Sequence, residues 1–470
     1  MIQVYNTLGR ARVPLEPREP GKVSLYVCGP TVQSAPHVGH GRSAVAFDVI
    51  RRYLAWSGYE VTFVRNVTDV EDKIIAAANE LGVDPSVHAT RVAVSFAAAF
   101  EALGVLDPDV EPKATEHIAE MLGLISRLIE RGLAYPAPNG DVYFSVRTLE
   151  SYGKLSGRDP DELRSGARIE ISEAKQDPLD FALWKAAKPG EPAWESPWGS
   201  GRPGWHIECS AMAEKYLGPS FDVHGGGSDL IFPHHENEIA QSEGVSGEVF
   251  ARYWLHNGMV NLGGEKMAKS TGHVIDLASA IERFGGPAVR LFYLRAHYRS
   301  PLEFSEDLLE DARASLDRVA RLMARASAGD AEPEPTVMWA FANAMDDDFA
   351  TPEGLGVLFD AVRDSNRALD SGEDASGLLA AVAEILGVLG LEAEVSEDLS
   401  DLGAEVDSLL TSLGLQAGGT VAVNLDAVVA ARRQARDERN WPRADEIRDR
   451  LAGMGIVVED GADGSRWHRR

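Results

Sequence analysis

Cysteine is nearly absent: the 470 residues hold two, Cys28 and Cys209. Two distant thiols exclude a disulfide framework and leave free thiols or metal ligands as the readings. No apolar run approaches the length that crosses a bilayer, so no membrane partner is expected. Met1-Ile2-Gln3-Val4-Tyr5-Asn6 has neither the basic region nor the apolar segment of a signal peptide, and a cytoplasmic location is expected. Positive charge is scarce, with 46 Lys and Arg against 73 Asp and Glu and a net charge of -27. That argues against a generally basic nucleic-acid binder but not against a local basic patch. Lysine ends at Lys269; beyond it arginine is the only strong cation.

What is present is ordinary for a globular chain of two to four domains, with 44% hydrophobic and 25% charged residues. Val23-Ser24-Leu25-Tyr26-Val27 reads as a buried strand ending in the turn Cys28-Gly29-Pro30-Thr31. A helix is predicted from about His40, with Val45, Ala46, Val49, Ile50 and Tyr53 at helical spacing. A second strand, Glu60 to Asn66, completes a βαβ unit, the signature of a doubly wound parallel sheet. Ligands in such sheets sit at the carboxyl ends of the strands, where Cys28 and Thr68 fall. A helix is predicted over 115–135. Residues 136–204, rich in Gly, Pro and Trp, read as an irregular insertion. The sheet is predicted to resume near Phe221, and helices dominate from 302 onward. Ala328 to Thr336 reads as a linker. The last segment reads as a helix from Leu425 to Arg439, a second helix opened by Pro442, and a strand pair from Ile456 to Trp467.

Several segments suit chemistry on a phosphorylated substrate. His37-Val38-Gly39-His40 opens a helix, whose free N–H groups and dipole attract anions. Alone, the string is better read as two surface histidines beside a turn. Lys266-Met267-Ala268-Lys269-Ser270 follows two glycines and suits a loop closing over a triphosphate; a solvated loop is the plainer reading. His234 and Glu238 stand at i and i+4, on one face of a helix. With two thiolates they would make a tetrahedral zinc set; a packing histidine competes at even odds. Gly225-Gly226-Gly227-Ser228-Asp229 allows close backbone approach, and Asp229 suits a ribose. Arg432, Arg436 and Arg439 fall on one face of the predicted helix and, with Trp441 and Trp467 nearby, suit single-stranded RNA; for each arginine singly, an amphipathic helix with paired charges is the plainer reading.

Taken in order, these segments resemble one family, the class I cysteinyl-tRNA synthetases. The resemblance runs from Cys28-Gly29-Pro30-Thr31-Val32 and His37-Val38-Gly39-His40 through Arg65-Asn66-Val67-Thr68-Asp69. It is most specific in Gly204-Trp205-His206-Ile207-Glu208-Cys209-Ser210-Ala211-Met212 and in the run from His224 to Glu238. It continues through Met345-Asp346-Asp347-Asp348-Phe349 to Gly464-Ser465-Arg466-Trp467. It implies a Rossmann-like doubly wound catalytic domain over 1–250 with an insertion at about 120–204. A lysine-loop connecting domain over 251–315, a helical bundle over 316–402 and a small α+β anticodon-binding domain over 403–470 would follow.

The resemblance further implies one zinc ion on Cys28, Cys209, His234 and Glu238. Gly29, Thr31, Thr68 and Trp205 would hold cysteine. Gly39, Gly227, Ser228, Asp229, Val260 and Lys269 would hold ATP and the adenylate. His37, His40, Lys266 and Lys269 would act on the triphosphate, with magnesium accompanying ATP. The partners implied are the tRNA for cysteine, L-cysteine and ATP, and the protein is expected to be a monomer. Two positions depart from the family pattern: Ala268 replaces a serine in the lysine loop, and Gln33-Ser34 replaces a Tyr-Asp pair. A cysteine ligase of thiol biosynthesis, joining cysteine to an inositol glycoside, shares the same resemblance but lacks the full anticodon-binding region. An inactive RNA-binding paralogue is the third reading; the intact histidine, lysine and metal-ligand motifs argue against it.

Overall fold

The computed structural model describes residues 1–159, 174–262, 265–266, 275–392, 399, 402–416, 418, 420–461 and 464–469. It divides into two compact units, Met1–Ala393 and Glu394–Arg470.

The expected parallel sheet forms the centre of the first unit. Its strands lie in the order Ala251–Asn257, Phe221–Gly227, Lys22–Val27, Glu60–Arg65, all parallel. Side chains alternate across a strand. Val23, Leu25 and Val27 accordingly enter one apolar core with the helix Val38–Trp56, while Tyr26 enters another with Ile207, Met212 and Ile239. Both sheet faces are therefore covered, as a doubly wound fold requires. The chain leaves the strand Lys22–Val27 to build its neighbour on one side and returns much later to build the neighbour on the other. That reversal opens a crevice at the carboxyl end of Lys22–Val27, just where Cys28 follows.

The stretch predicted to be irregular contains a sheet, and its residues 160–173 lie outside the described residues. After the helix Ile118–Glu130 comes a four-stranded antiparallel sheet of Ala134–Pro136, Val142–Phe144, Phe181–Ala186 and Gly201–Pro203. Three of its strands have only three residues, too few to show a period of two, so composition alone suggested a loop.

Helices follow over Glu306–Arg325, Pro335–Asp346, Thr351–Ser371 and Ser376–Leu389. The predicted linker ends two residues early, because Pro335 opens a helix that includes Thr336. The Asp346-Asp347-Asp348 run has a structural use. Asp348, fully buried at φ 62, accepts from the Tyr5 amide (2.8 Å), the Tyr298 hydroxyl (2.9 Å) and Arg299 Nε (2.6 Å). One carboxylate thus joins the first strand, the end of the catalytic region and the helices.

The second unit packs helices Gly403–Leu413, Val421–Asp437 and Trp441–Gly453 around Val406, Leu410, Leu425, Val428 and Ile447, with the antiparallel pair Ile456–Gly461 and Gly464–Arg469.

Candidate active site

A cleft of about 300 Å³ opens at the carboxyl ends of the parallel strands. Its floor holds Cys28, Cys209 and His234, and its rim holds His37, Gly39 and His40. Gly29, Thr31, Thr68, Trp205, Gly227, Asp229 and Val260 also line it. Of the proposed contacts among described side chains, Ser228 is not in the lining, and Glu238 sits beneath it, fully buried. Lys269 and Ala268 lie outside the described residues. Lys266 ends a short strand, Glu265–Lys266, that pairs with Val260–Leu262. On the far side of the lysine segment, Val38 donates to the Ile275 carbonyl and Leu277 to that of Pro36, each at 3.1 Å. The far end of the segment is thus tied to the histidine motif.

At the floor, Cys28 Sγ lies 3.7 Å from Cys209 Sγ and 3.4 Å from Glu238 Oε1, which is 3.2 Å from His234 Nε2. The four ligand atoms all lie within 4.8 Å of one another. His234 is not on the regular helix with Glu238. It stands in the preceding turn, Ile231–His235, and the helix begins at Glu236. The i, i+4 spacing brings the pair together all the same. A second group, Cys28, His224, His235 and Glu238, meets the same distance criterion. In it His224 Nε2 meets Glu238 Oε2, a member of the same group, at 2.9 Å, and His235 Nδ1 meets His256 Nε2, outside it, at 2.8 Å. Only the first group has two sulfurs and three members facing the cleft, which suits a soft, tetrahedral dication.

The surroundings fit the same ion. A ligating imidazole usually has its other nitrogen held by a partner. His234 Nδ1 meets His206 Nδ1 at 2.8 Å, and Trp205 stacks on the His234 ring at 4.3 Å. Burial keeps His234 and His206 neutral, His206 down to about 3. Burial and the hydrogen bond with Cys209 push the Cys28 thiol well up. A bound dication would reverse that and favour thiolate.

A polar chain borders the floor. The Gly29 amide donates to Asn66 Oδ1 (2.9 Å), Asn66 Nδ2 to Thr68 Oγ1 (3.3 Å), and Thr68 Oγ1 to buried Glu208 Oε2 (3.1 Å). Gly29 is required by the closeness of this contact: a Cβ there would stand 1.5 Å from the Asn66 carbonyl oxygen. Asn66, His206, His224 and Glu208 had no role in the sequence reading, because nothing local distinguishes an orienting side chain from a packing one.

At the rim, His37 and His40 form a reciprocal cap on the helix Val38–Trp56. His37 Nδ1 accepts from the Gly39 amide and His40 Nδ1 from the His37 amide, each at 3.1 Å. With Nδ1 accepting, the proton belongs on Nε2, so each ring offers an N–H donor there. The rings stack at 3.7 Å.

The second unit does not present its three arginines on one face. Arg432 is buried, Arg436 is half-buried, and Arg439 lies beyond the helix, in a turn at φ 59. The helix ends two residues before the predicted boundary, so its periodicity does not reach Arg439. Trp441 is exposed, whereas the Trp467 indole donates to Asp426 at 2.7 Å.

The buried histidines carry a consequence for stability. His256, held between Thr7 Oγ1 (2.7 Å) and His235, is depressed to about 3 by burial and by the charge of His224. The unfolded chain therefore takes up this proton first, and the contribution present above pH 6.5 is lost as pH falls towards 3. From pH 7.5 to 5 the expected loss is about 2 kcal/mol from this residue. Urea unfolding of His256→Gln should show a pH dependence shallower by that amount; identical curves for both proteins would refute the assignment.

Comparisons with known proteins agree with this geometry. The family model for the tRNA synthetases class I (C) catalytic domain matches residues 14–314, that for the DALR domain residues 340–394, and that for the cysteinyl-tRNA ligase anticodon binding domain residues 421–467. The cysteine–tRNA ligase of Alkalilimnicola ehrlichii is 50% identical, and that of Chromobacterium violaceum 46%, each alignment covering 100% of both chains. Among solved structures, Mycobacterium tuberculosis methionyl-tRNA synthetase with methionyl-adenylate superposes at a TM-score of 0.56 with 16% identity, over 84% of this chain and 94% of that one. The leucyl-tRNA synthetase of Agrobacterium radiobacter, in its ternary complex, does so at 0.58 with 14% identity, over 83% and 86%. These last two likenesses speak for the fold alone. No helix among the described residues is long and apolar enough to cross a membrane. With full-length relatives at this identity and catalytic and anticodon-binding models matching in order, the chain belongs to the cysteinyl-tRNA synthetases, class I aminoacyl-tRNA synthetases.

Proposed function

We propose that this chain activates L-cysteine with ATP to cysteinyl-adenylate and pyrophosphate, then transfers cysteine to the terminal adenosine of its tRNA. The observation that carries the reading is one cleft with a two-thiol, imidazole and carboxylate cluster at its floor and a histidine-capped helix N-terminus at its rim. That spacing suits a thiol substrate at one end of the cavity and a phosphate chain at the other.

The floor would hold zinc on Cys28, Cys209, His234 and Glu238; when bound, the ion would keep a substrate sulfur as thiolate. Trp205, stacked on His234, walls the side-chain pocket. Thr68 donates its proton to Glu208, so its oxygen can accept from the substrate ammonium. Gly29 and Thr31 border the substrate backbone, and Gly227, Asp229 and Val260 its adenylate. In the activation step the cysteine carboxylate attacks the α-phosphorus and pyrophosphate leaves. His37 and His40 donate from Nε2 to phosphate oxygens on which charge grows, and Lys266 and Lys269 serve the same phosphates, with magnesium accompanying ATP. Positioning and charge stabilisation suffice, and no covalent enzyme intermediate is needed. The region 403–470 binds the anticodon, the region 251–315 carries the lysine loop, and the protein works as a cytoplasmic monomer.

Pyrophosphate exchange tests the reading. Exchange should require cysteine, and added tRNA should be aminoacylated. Exchange without charging would favour the thiol-biosynthesis ligase, and no exchange would favour the inactive paralogue.

A further inference from the structure

Arg42 lies two residues beyond the histidine motif and is 2% exposed. Buried arginines usually face a carboxylate, because an unpaired charge in the interior is costly. Arg42 instead donates to five backbone carbonyls: Ser300 (2.7 Å), His297 (3.0 Å), Tyr293 (3.1 Å), Gly258 (3.3 Å) and Tyr298 (3.5 Å). Burial pulls its guanidinium down to about 10. By contrast Arg290, equally buried, is paired with Asp48.

The carbonyls belong to two segments, one of which lines the cleft. Gly258 lines the cleft and leads into the strand Val260–Leu262, which pairs with Glu265–Lys266 on one side and Leu302–Glu303 on the other. Ser300 leads into Leu302–Glu303. The two segments meet at Gly258, whose amide donates to the Tyr298 carbonyl at 2.8 Å; a Cβ at Gly258 would stand 2.3 Å from the Ser300 oxygen. Tyr293 closes the joint by donating to the Val38 carbonyl, in the first turn of the histidine helix, at 2.7 Å.

We propose that Arg42 is a positioning residue for activation, holding the strand that leads into the lysine segment at a set distance from His37 and His40. The exit of that segment is already tied to the motif by the backbone pairing of 36–38 with 275–277. Arg42 secures the entry. A planar guanidinium can serve carbonyls from both segments at once, whereas a lysine ammonium on its flexible stem cannot. The floor of the cleft, where Cys28, Cys209 and Glu238 meet, makes no contact with Arg42 in this network, so the cysteine end should be indifferent to it.

The inference rests on the activation reading above, and the test separates the two. If wild-type protein shows no cysteine-dependent exchange, that reading fails first. If it does, Arg42→Lys should lower kcat for exchange by about 100-fold, the order of a misplacement of reacting groups. Equilibrium binding of cysteine should be unchanged, and unfolding should remain cooperative. Gly258→Ala, which strains the same joint without touching the charge, should give the same split between kcat and cysteine affinity, and decides the matter if Arg42→Lys does not fold. Wild-type exchange rates in either folded variant would overturn the proposal. So would a parallel loss of cysteine affinity, which marks general damage.

Discussion

Cys209→Ser is expected to strip the protein of its metal. Wild-type protein should carry about one zinc per chain, since two thiolates, an imidazole and a carboxylate fill a tetrahedral set. Serine keeps the size but would remain a neutral hydroxyl, a poor ligand for a soft dication. Loss of an outer-shell partner alone costs about 10–100-fold in metal affinity, and loss of a thiolate should cost more. Cysteine binding should fall with the metal while ATP binding persists. Thermal unfolding should also move down, and wild-type protein treated with a chelator should approach the variant, because the metal's binding energy is added to folding. Elemental analysis decides the first part: a full complement of zinc in Cys209→Ser would remove this residue from the site. A different outcome, zinc lost from a His224→Gln protein but retained here, would favour the second histidine group.

The second large effect is expected at His40. Two jobs can be separated there, because Nδ1 caps the helix while the proton sits on Nε2. Asparagine is a good capping residue and can accept from the His37 amide as Nδ1 does, but it has nothing in place of the distal N–H. His40→Asn should therefore fold with near wild-type stability and still bind cysteine. Its exchange rate should fall by about 100- to 1,000-fold, the usual effect of deleting one donor to developing charge. His40→Ala should lose the same rate and about 1 kcal/mol of stability besides, for the missing cap. Exchange by His40→Asn within a few-fold of wild type would mean that the ring is a cap and nothing more.

The βαβ unit was legible because its periods are long and clean: Val45, Ala46, Val49, Ile50 and Tyr53 repeat over a 19-residue helix, and all are buried. The sheet at 134–203 was not, because its pairing joins residues up to 42 apart through strands of three to six. The C-terminal arginines show the converse failure. Helical spacing put them on one face, but a helix end two residues early and a turn at positive φ moved Arg439 off it.

The sequence by itself determined the chemistry available: two thiols in the whole chain, a His–Glu pair four residues apart, and a histidine pair opening a helix. Those are matters of residue type and local spacing, which a chain carries before it folds. The tertiary structure decided which of five neighbouring histidines face the cleft, which merely hold another ring, and that Glu208 and Asn66 stand behind Thr68. It also decided that one buried arginine, Arg42, grips five carbonyls. Such roles depend on which groups meet across separations of tens to hundreds of residues. They are set by packing and by the need to satisfy every buried polar atom, and no local pattern records them.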